Sequence, residues 1–204
     1  PDQPMPLRGD NKLPTALGRT QSESDLRPTC VSQPESLRRK QRESYLRFHA
    51  MTELPPIEEL VPHRHPMLLI DGVTSFETTR LTATFTPAEG CWDDPRGLPS
   101  YAGIEIIAQA IAAHNSLASR LSEGSTEPSV GVLLGARSYE ASMPFFPFGR
   151  RILIELEEKM QDPVGFGAFL GTLRDETGRT LASSTIKVFR PADFRTYIAQ
   201  NRPS

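Results

Sequence analysis

The spacing of hydrophobic and polar residues changes along the chain, and these changes mark out its predicted elements. In residues 100–121 the hydrophobic positions recur near helical spacing, and alanines extend the apolar surface almost all the way round. A helix that is apolar on nearly every side is usually buried. We therefore expect one long central helix here, with small alanine side chains that let a sheet approach it closely.

Shorter segments on both sides of this helix are predicted strands, because they alternate apolar and polar residues or are apolar runs bounded by turn residues. Before the helix we expect a helical turn at 57–61, strands at 67–74 and 81–86, and a loop at 87–100; after it, strands at 131–139, 151–160, 166–174 and 179–190. One long helix with consecutive antiparallel strands predicts an α+β fold, in which one antiparallel sheet wraps around the helix.

Residues 1–50 show no such periodicity. They are rich in proline and carry a formal charge of +3, whereas residues 51–204 carry −5. A segment with so few apolar residues cannot bury enough surface to offset the chain entropy lost on ordering. We predict a disordered N-terminal extension over 1–50 and one folded domain over 51–204.

Charge and cysteine content narrow the class of protein further. The acidic domain argues against a nucleic-acid partner, for which a strongly basic domain is expected. Cys30 and Cys91 lie on opposite sides of the predicted boundary and form neither a disulfide framework nor a zinc site, which favours a reducing compartment. No apolar run reaches the roughly 20 residues that span a bilayer. We expect a cytoplasmic protein without a membrane span.

The predicted central helix carries a carboxylate, Glu105, on its otherwise apolar surface. Burying a carboxylate without partners is costly, so the group usually takes up a proton and becomes a neutral acid that can donate it. The alternative is a glutamate on a narrow polar stripe shared with Gln109, either exposed or paired. Glu105 is therefore a candidate proton donor.

A second candidate, His63, follows Pro62 on a turn just before an apolar run. Histidine is the side chain best suited to accept a proton near neutral pH. A turn histidine bonded to nearby backbone is the alternative, and His65 competes for the same role because spacing does not separate the two. The histidines lack a third ligand in a spaced cluster, so no metal site is expected. A histidine and a buried carboxylate together indicate acid–base chemistry on a carbon acid.

Two motifs resemble those of a known family. Residues 62–71, Pro-His-Arg-His-Pro-Met-Leu-Leu-Ile-Asp, resemble the His-Arg-(aromatic)-Pro-x-Leu-Leu-(aliphatic)-Asp signature of 3-hydroxyacyl-(acyl carrier protein) dehydratases. Leu98-Pro99 and the Glu-Ile-Ile-Ala-Gln of residues 105–109 are similar to that family's Pro-Gly…Glu-Ala-x-Ala-Gln helix. Residues 133–140 and 148–149 fit the subgroup of hotdog-fold dehydratase-like proteins from aryl polyene gene clusters. The resemblance covers about residues 54–190.

This resemblance implies a hotdog fold, an antiparallel sheet curled around a central helix, and a dimer with one continuous sheet and active sites at its interface. His63 would remove the α-proton of a thioester, and Glu105 from the other subunit would protonate the departing β-hydroxyl. The start of the helix, at Tyr101 and Gly103, would hold the thioester oxygen. Together with these two residues, Gln109 and His65 are expected to contact the substrate.

The function implied is dehydration of a 3-hydroxyacyl thioester on acyl carrier protein to the trans-2-enoyl thioester, in fatty-acid-like or aryl polyene biosynthesis. No cofactor is expected beyond the carrier's phosphopantetheine, and the partners would be acyl carrier protein and either a second copy or another hotdog dehydratase. The family's Gly-His-Phe-Pro segment is absent, and residues 91–97 stand there instead. Two other functions therefore stay open: a non-catalytic partner of an active dehydratase, and a thioesterase in which Glu105 activates water.

Overall fold

A computed structural model describes residues 54–90, 94–191 and 193–200. The predictions for the N-terminal extension, for Cys30 and for Cys91 lie outside the described residues. Neither helix in the described part of the chain is long and apolar enough to cross a membrane.

The central helix, α1, spans Gly103–Glu123 and follows a 3₁₀ turn at Ser100–Ala102. It ends at Gly124, which takes the left-handed conformation that glycine adopts without strain and donates its N–H to the Arg120 carbonyl. The predicted helix at 100–121 is thereby confirmed, with a tighter first turn.

Six strands form one antiparallel sheet. They span Gly72–Glu77 (β1), Arg80–Phe85 (β2), Val132–Ala141 (β4), Ile152–Gln161 (β6), Phe166–Arg174 (β7) and Thr180–Phe189 (β8). Their order in the sheet is β1-β2-β6-β7-β8-β4. A separate pair consists of β3 at Leu98–Pro99, which comes just before α1 in the chain, and β5 at Phe145–Phe146, which follows β4. A short helix, α2 at Phe194–Gln200, follows β8.

One face of the sheet packs around α1 and forms the core. Its fully buried members include Leu81, Ala83, Phe85, Ile106, Ile107, Ala110, Ile154, Phe169 and Ile186. Gly171 of β7 lies directly against Ile107, where a Cβ would overlap the isoleucine side chain, so the glycine lets helix and sheet approach closely. The predicted α+β architecture, one antiparallel sheet around one helix, is confirmed.

The strand predicted at 67–74 is wrong at its start, since β1 begins only at Gly72. The backbone at Met67 and Leu69 stays outside the sheet and hydrogen-bonds to the side chain of Gln109 instead, and the first bond to β2 is made by the Asp71 N–H, which donates to the Thr84 carbonyl (2.7 Å). The two-residue strands β3 and β5 and the short helix α2 were not predicted either.

Candidate active site

His63 lies on a turn that its neighbour Arg64 holds in shape. The Arg64 guanidinium donates through Nη1 to the carbonyls of Val61 (3.0 Å) and His63 (2.7 Å). The Arg64 carbonyl in turn accepts from the N–H groups of Met67 (2.8 Å) and Leu68 (3.0 Å). These bonds fix the backbone that carries the histidine ring.

Glu105 lies in the first turn of α1, and Gln109 lies one turn further on the same face. Gln109 is fully buried and uses its whole amide: Nε2 donates to Glu105 Oε1 (3.0 Å) and to the Met67 carbonyl (2.7 Å), and Oε1 accepts from the Leu69 N–H (2.9 Å). Gln109 therefore joins the helix to the segment that follows His63, and the substrate contact expected of Gln109 stays a prediction.

The two candidate residues meet within one chain. His63 Nε2 lies 3.4 Å from Glu105 Oε1, and each side chain is 35 % exposed. Gln109 holds both elements of this chain together, and the expected approach of Glu105 from another subunit stays a prediction. A histidine and a carboxylate thus face the same partly open space.

The His63 ring has one usable nitrogen. Nδ1 is enclosed and has no hydrogen-bond partner within the residues that the structure describes. Nε2 points to Glu105 and lies on the side chain's open side. Proton exchange with a substrate would therefore use Nε2.

His65, which spacing left equivalent to His63, occupies a different place. It borders a cavity of about 320 Å³ that has a floor of buried apolar side chains, among them Leu68, Ile70 and Phe85. Asp71, which accepts a hydrogen bond from the Thr86 hydroxyl (2.8 Å), also lines this cavity. His63 and not His65 is thus the histidine paired with Glu105.

The start of α1 exposes one of its two candidate residues and buries the other. Tyr101 is 62 % exposed on the 3₁₀ turn. Gly103 is buried, and its N–H donates to the carbonyls of Ser100 and Tyr101. The expected contacts of Tyr101 and Gly103 with a substrate stay predictions.

Tyr139 was missed by the sequence analysis. Its hydroxyl donates to the Ser100 carbonyl at the start of the helix and lies directly over Gly103. Burial raises the pKa of Tyr139 to about 12. The register of β4 on β8 is irregular between Arg137 and Glu140, and Ser138 has a φ of 55°. Such a bulge redirects a side chain in a way that residue alternation does not predict.

His114 lies deep in the core, in the second half of α1. Its ring packs against Phe76 and Phe169, and its Nε2 lies 3.2 Å from the Thr78 carbonyl. Burial lowers the pKa of His114. The residue stabilises the core and is remote from the His63–Glu105 pair in the fold. Within the described ranges no group of three or more potential ligands could hold a metal ion.

The antiparallel sheet around α1, with an acid–base pair at the first turn of the helix, is the arrangement of a hotdog-fold dehydratase-like protein. The family model of ApeP-like proteins, described as ApeP dehydratase, matches residues 55–199. The chain belongs to this family.

One solved structure supports this fold. A chain of the dehydratase heterocomplex ApeI:P from Xenorhabdus doucetiae is 25% identical, with a TM-score of 0.63, and the match covers 74% of this chain and 100% of that one. Two others are more distant. The E. coli PaaI protein is 11% identical, with a TM-score of 0.47, and the match covers 76% of this chain and 98% of that one. Thioesterase HI1161 of Haemophilus influenzae is 15% identical, with a TM-score of 0.47, and the match covers 61% of this chain and 81% of that one. The search of curated proteins gave no match to this chain.

Proposed function

We propose that this dehydratase-family chain removes water from a 3-hydroxyacyl thioester carried on acyl carrier protein and yields the trans-2-enoyl thioester. The observation that carries the proposal is the 3.4 Å contact between His63 Nε2 and Glu105 Oε1. An elimination needs one group to accept the α-proton and one to donate to the leaving hydroxyl, and these two partly exposed side chains can fill both roles.

In the proposed reaction, neutral His63 accepts the α-proton at Nε2, and negative charge develops on the thioester oxygen. Glu105, in its protonated form, donates to the β-hydroxyl as the carbon–oxygen bond breaks, so water leaves and the double bond forms. His63 then holds the α-proton, and Glu105 has given its own proton to the departing water. Because the two atoms lie 3.4 Å apart, the proton can return to Glu105 directly and the pair is ready for another turnover.

In the proposed reaction, the start of α1 stabilises the negative charge that develops on the thioester oxygen. The helix carries a partial positive charge at its N-terminal end, beside the first-turn residue Glu105, and such a field stabilises an oxyanion. We place the thioester carbonyl near Tyr101, which is exposed at this turn. We assign the acyl chain to the cavity bordered by His65, whose apolar floor suits it.

We also propose a second hotdog subunit, bound through strand β4. This ten-residue strand lies at the edge of the sheet and exposes Leu133 (41 %) and Leu134 (51 %). An exposed edge strand is a template for pairing with another strand. The ApeI:P relative is described as a heterocomplex, which favours a different hotdog dehydratase over a second copy.

The acidic carrier protein would meet a basic surface. Arg137, Arg150 and Arg151 are exposed in the described structure and are our candidates for this contact. Attraction between opposite charges speeds the encounter of such partners.

The test is to incubate the purified protein, alone and with its co-purified partner, with a 3-hydroxyacyl thioester on acyl carrier protein, and to measure the intact mass of the carrier. Loss of one water with the thioester retained supports the proposal. Release of the free acid identifies a thioesterase. If water loss persists unchanged after both His63→Ala and Glu105→Gln, this chain is a non-catalytic partner. If no reaction occurs with the protein alone or with its co-purified partner, the proposed dehydratase function is refuted.

A further inference from the structure

We propose that Tyr139 is a positioning residue, whose hydroxyl holds the 3₁₀ turn before α1 and so sets where the first turn of the helix, with Glu105, lies. The inference rests on the proposed function, in which Glu105 donates a proton. Three features of the described structure support it: a hydrogen bond, a glycine without room for a side chain, and a bulge in β4.

The hydrogen bond joins strand β4 to the turn that leads into the helix. The Tyr139 hydroxyl donates to the Ser100 carbonyl, and the same carbonyl accepts from the N–H of Gly103, the first residue of α1. Ser100 is held a second time through its own N–H, which donates to the Pro144 carbonyl (2.9 Å). One side chain of β4 therefore contacts the point at which the helix begins.

Gly103 makes room for this contact. A Cβ at this position would overlap the Tyr139 hydroxyl and would also crowd a methyl group of Leu173 (3.1 Å). The backbone of Gly103 has a φ of −57°, which every residue adopts in a helix, so the glycine is not needed for its conformation. Glycine disfavours helix formation, and its place at the first residue of α1 is explained by the close approach of the tyrosine.

The bulge in β4 directs the tyrosine towards the helix and strains the backbone. Ser138 has a φ of 55°, in the left-handed region that residues other than glycine rarely adopt, and the register on β8 breaks between Arg137 and Glu140. Strain of this kind persists where the surrounding structure enforces it, and it clusters at functional sites. Burial raises the pKa of Tyr139 to about 12, so its hydroxyl stays protonated and remains a donor at neutral pH.

Glu105 thus lies between two ties within the chain. Before it in sequence, Tyr139 holds the turn at Ser100. After it, Gln109 joins the helix to the segment that follows His63. A proton donor has to meet its substrate atom within hydrogen-bond distance, and a displacement of about 1 Å can slow a reaction by about 100-fold. Loss of the tyrosine hydroxyl should therefore change kcat and leave KM in place.

The test compares Tyr139→Phe with Ser142→Ala in the full-length chain, together with its co-purified partner where one is present. Ser142 follows the end of β4, and its hydroxyl donates to the Leu181 carbonyl (3.1 Å), so this variant loses a bond of the same kind that does not involve the helix. Hydrogen–deuterium exchange of residues 100–106 reports on the turn. Dehydration of a carrier-bound 3-hydroxyacyl thioester gives kcat and KM.

Tyr139→Phe should speed the exchange of residues 100–106 by about 2- to 10-fold, the factor that one hydrogen bond represents, and should lower kcat on the order of 10-fold with KM unchanged. Ser142→Ala should change none of these quantities. Wild-type exchange in the Tyr139→Phe protein, or faster exchange with a wild-type kcat, overturns the positioning role. An inactive wild-type protein counts against the proposed function, and the exchange rates then decide alone whether Tyr139 holds the turn.

A second variant tests the same contact from the helix side. Gly103→Ala keeps the backbone N–H and places a methyl group where the Tyr139 hydroxyl lies. If both changes break one contact, each of them lowers kcat, and the double variant is no slower than the slower of the two single variants. Losses that multiply in the double variant show that the two residues act independently and overturn the inference.

Discussion

The Gln109→Met variant tests how the site is held in place. Methionine fills nearly the same space but has no amide, so the three hydrogen bonds to Glu105, Met67 and Leu69 are lost together. The segment after His63 and the first turn of α1 are then no longer tied to each other. We expect both the stability of the protein and the position of Glu105 to change.

The expected magnitude follows from the partners left behind. The Leu69 N–H and the Met67 carbonyl each lose a partner in a partly buried place, at a cost of about 1–3 kcal/mol per unpaired group. We expect the free energy of unfolding to fall by about 3 kcal/mol. A shift of about 1 Å in a catalytic group can slow a reaction by about 100-fold, so kcat should fall on the order of 10- to 100-fold while KM changes little.

The matched control is Ser116→Ala, seven residues further along the same helix. Ser116 Oγ donates to the Leu60 carbonyl (2.6 Å) and accepts from the Ser129 N–H (2.7 Å), far along α1 from Glu105. Its loss should lower stability by about 2 kcal/mol and leave kcat unchanged. Urea unfolding measures stability, and dehydration rates are normalised to folded protein. A Gln109→Met protein with wild-type kcat would refute the positioning role.

Three further predictions concern the core and the surface. Burial lowers the pKa of His114, so the ring stays neutral in the native state, whereas in the unfolded chain, where the pKa of this histidine is about 6.5, it takes up a proton. The free energy of unfolding should therefore fall below about pH 6.5, by up to about 1.4 kcal/mol per pH unit. His114→Gln should lose this share of the pH dependence in urea titrations. Gly171→Ala places a methyl group against Ile107 and should lower the free energy of unfolding by about 1–3 kcal/mol. Gly72→Ala, whose Cβ would meet no neighbouring atom within 4 Å, should melt at the wild-type temperature. Equal melting temperatures of the two variants would contradict the close packing. Added salt should weaken carrier-protein binding, measured by calorimetry, and an affinity independent of ionic strength would count against a charged docking surface.

The architecture could be predicted where residue periodicity carries the information. The predicted strand at 166–174 matches β7, and the predicted helix at 100–121 matches α1 with its preceding turn, because both elements bury a regular apolar pattern. Periodicity fails where a side chain takes over backbone hydrogen bonds. Gln109 does this at Met67 and Leu69, and an apolar run that looks like a strand stays outside the sheet.

The site could be predicted in its residue types and not in its geometry. A histidine on a turn and a glutamate in an apolar helix were visible in the sequence, but spacing did not separate His63 from His65. Only the fold shows that His63 meets Glu105 in the same chain. Tyr139 belonged to the motif of residues 133–140, but its contact could not be predicted, because a bulge in β4 turns it towards the start of α1.

The most direct test of the central claim is the rate of water loss from a carrier-bound 3-hydroxyacyl thioester, compared between wild type, Glu105→Gln and Glu123→Gln. Glu123 is an exposed carboxylate at the last residue of the same helix and is the matched control. We expect Glu105→Gln to slow the reaction by about 100- to 10,000-fold, the usual contribution of a general acid, and Glu123→Gln to leave it unchanged. A Glu105→Gln protein that dehydrates the substrate at the wild-type rate would contradict the proposed role of Glu105 as the proton donor.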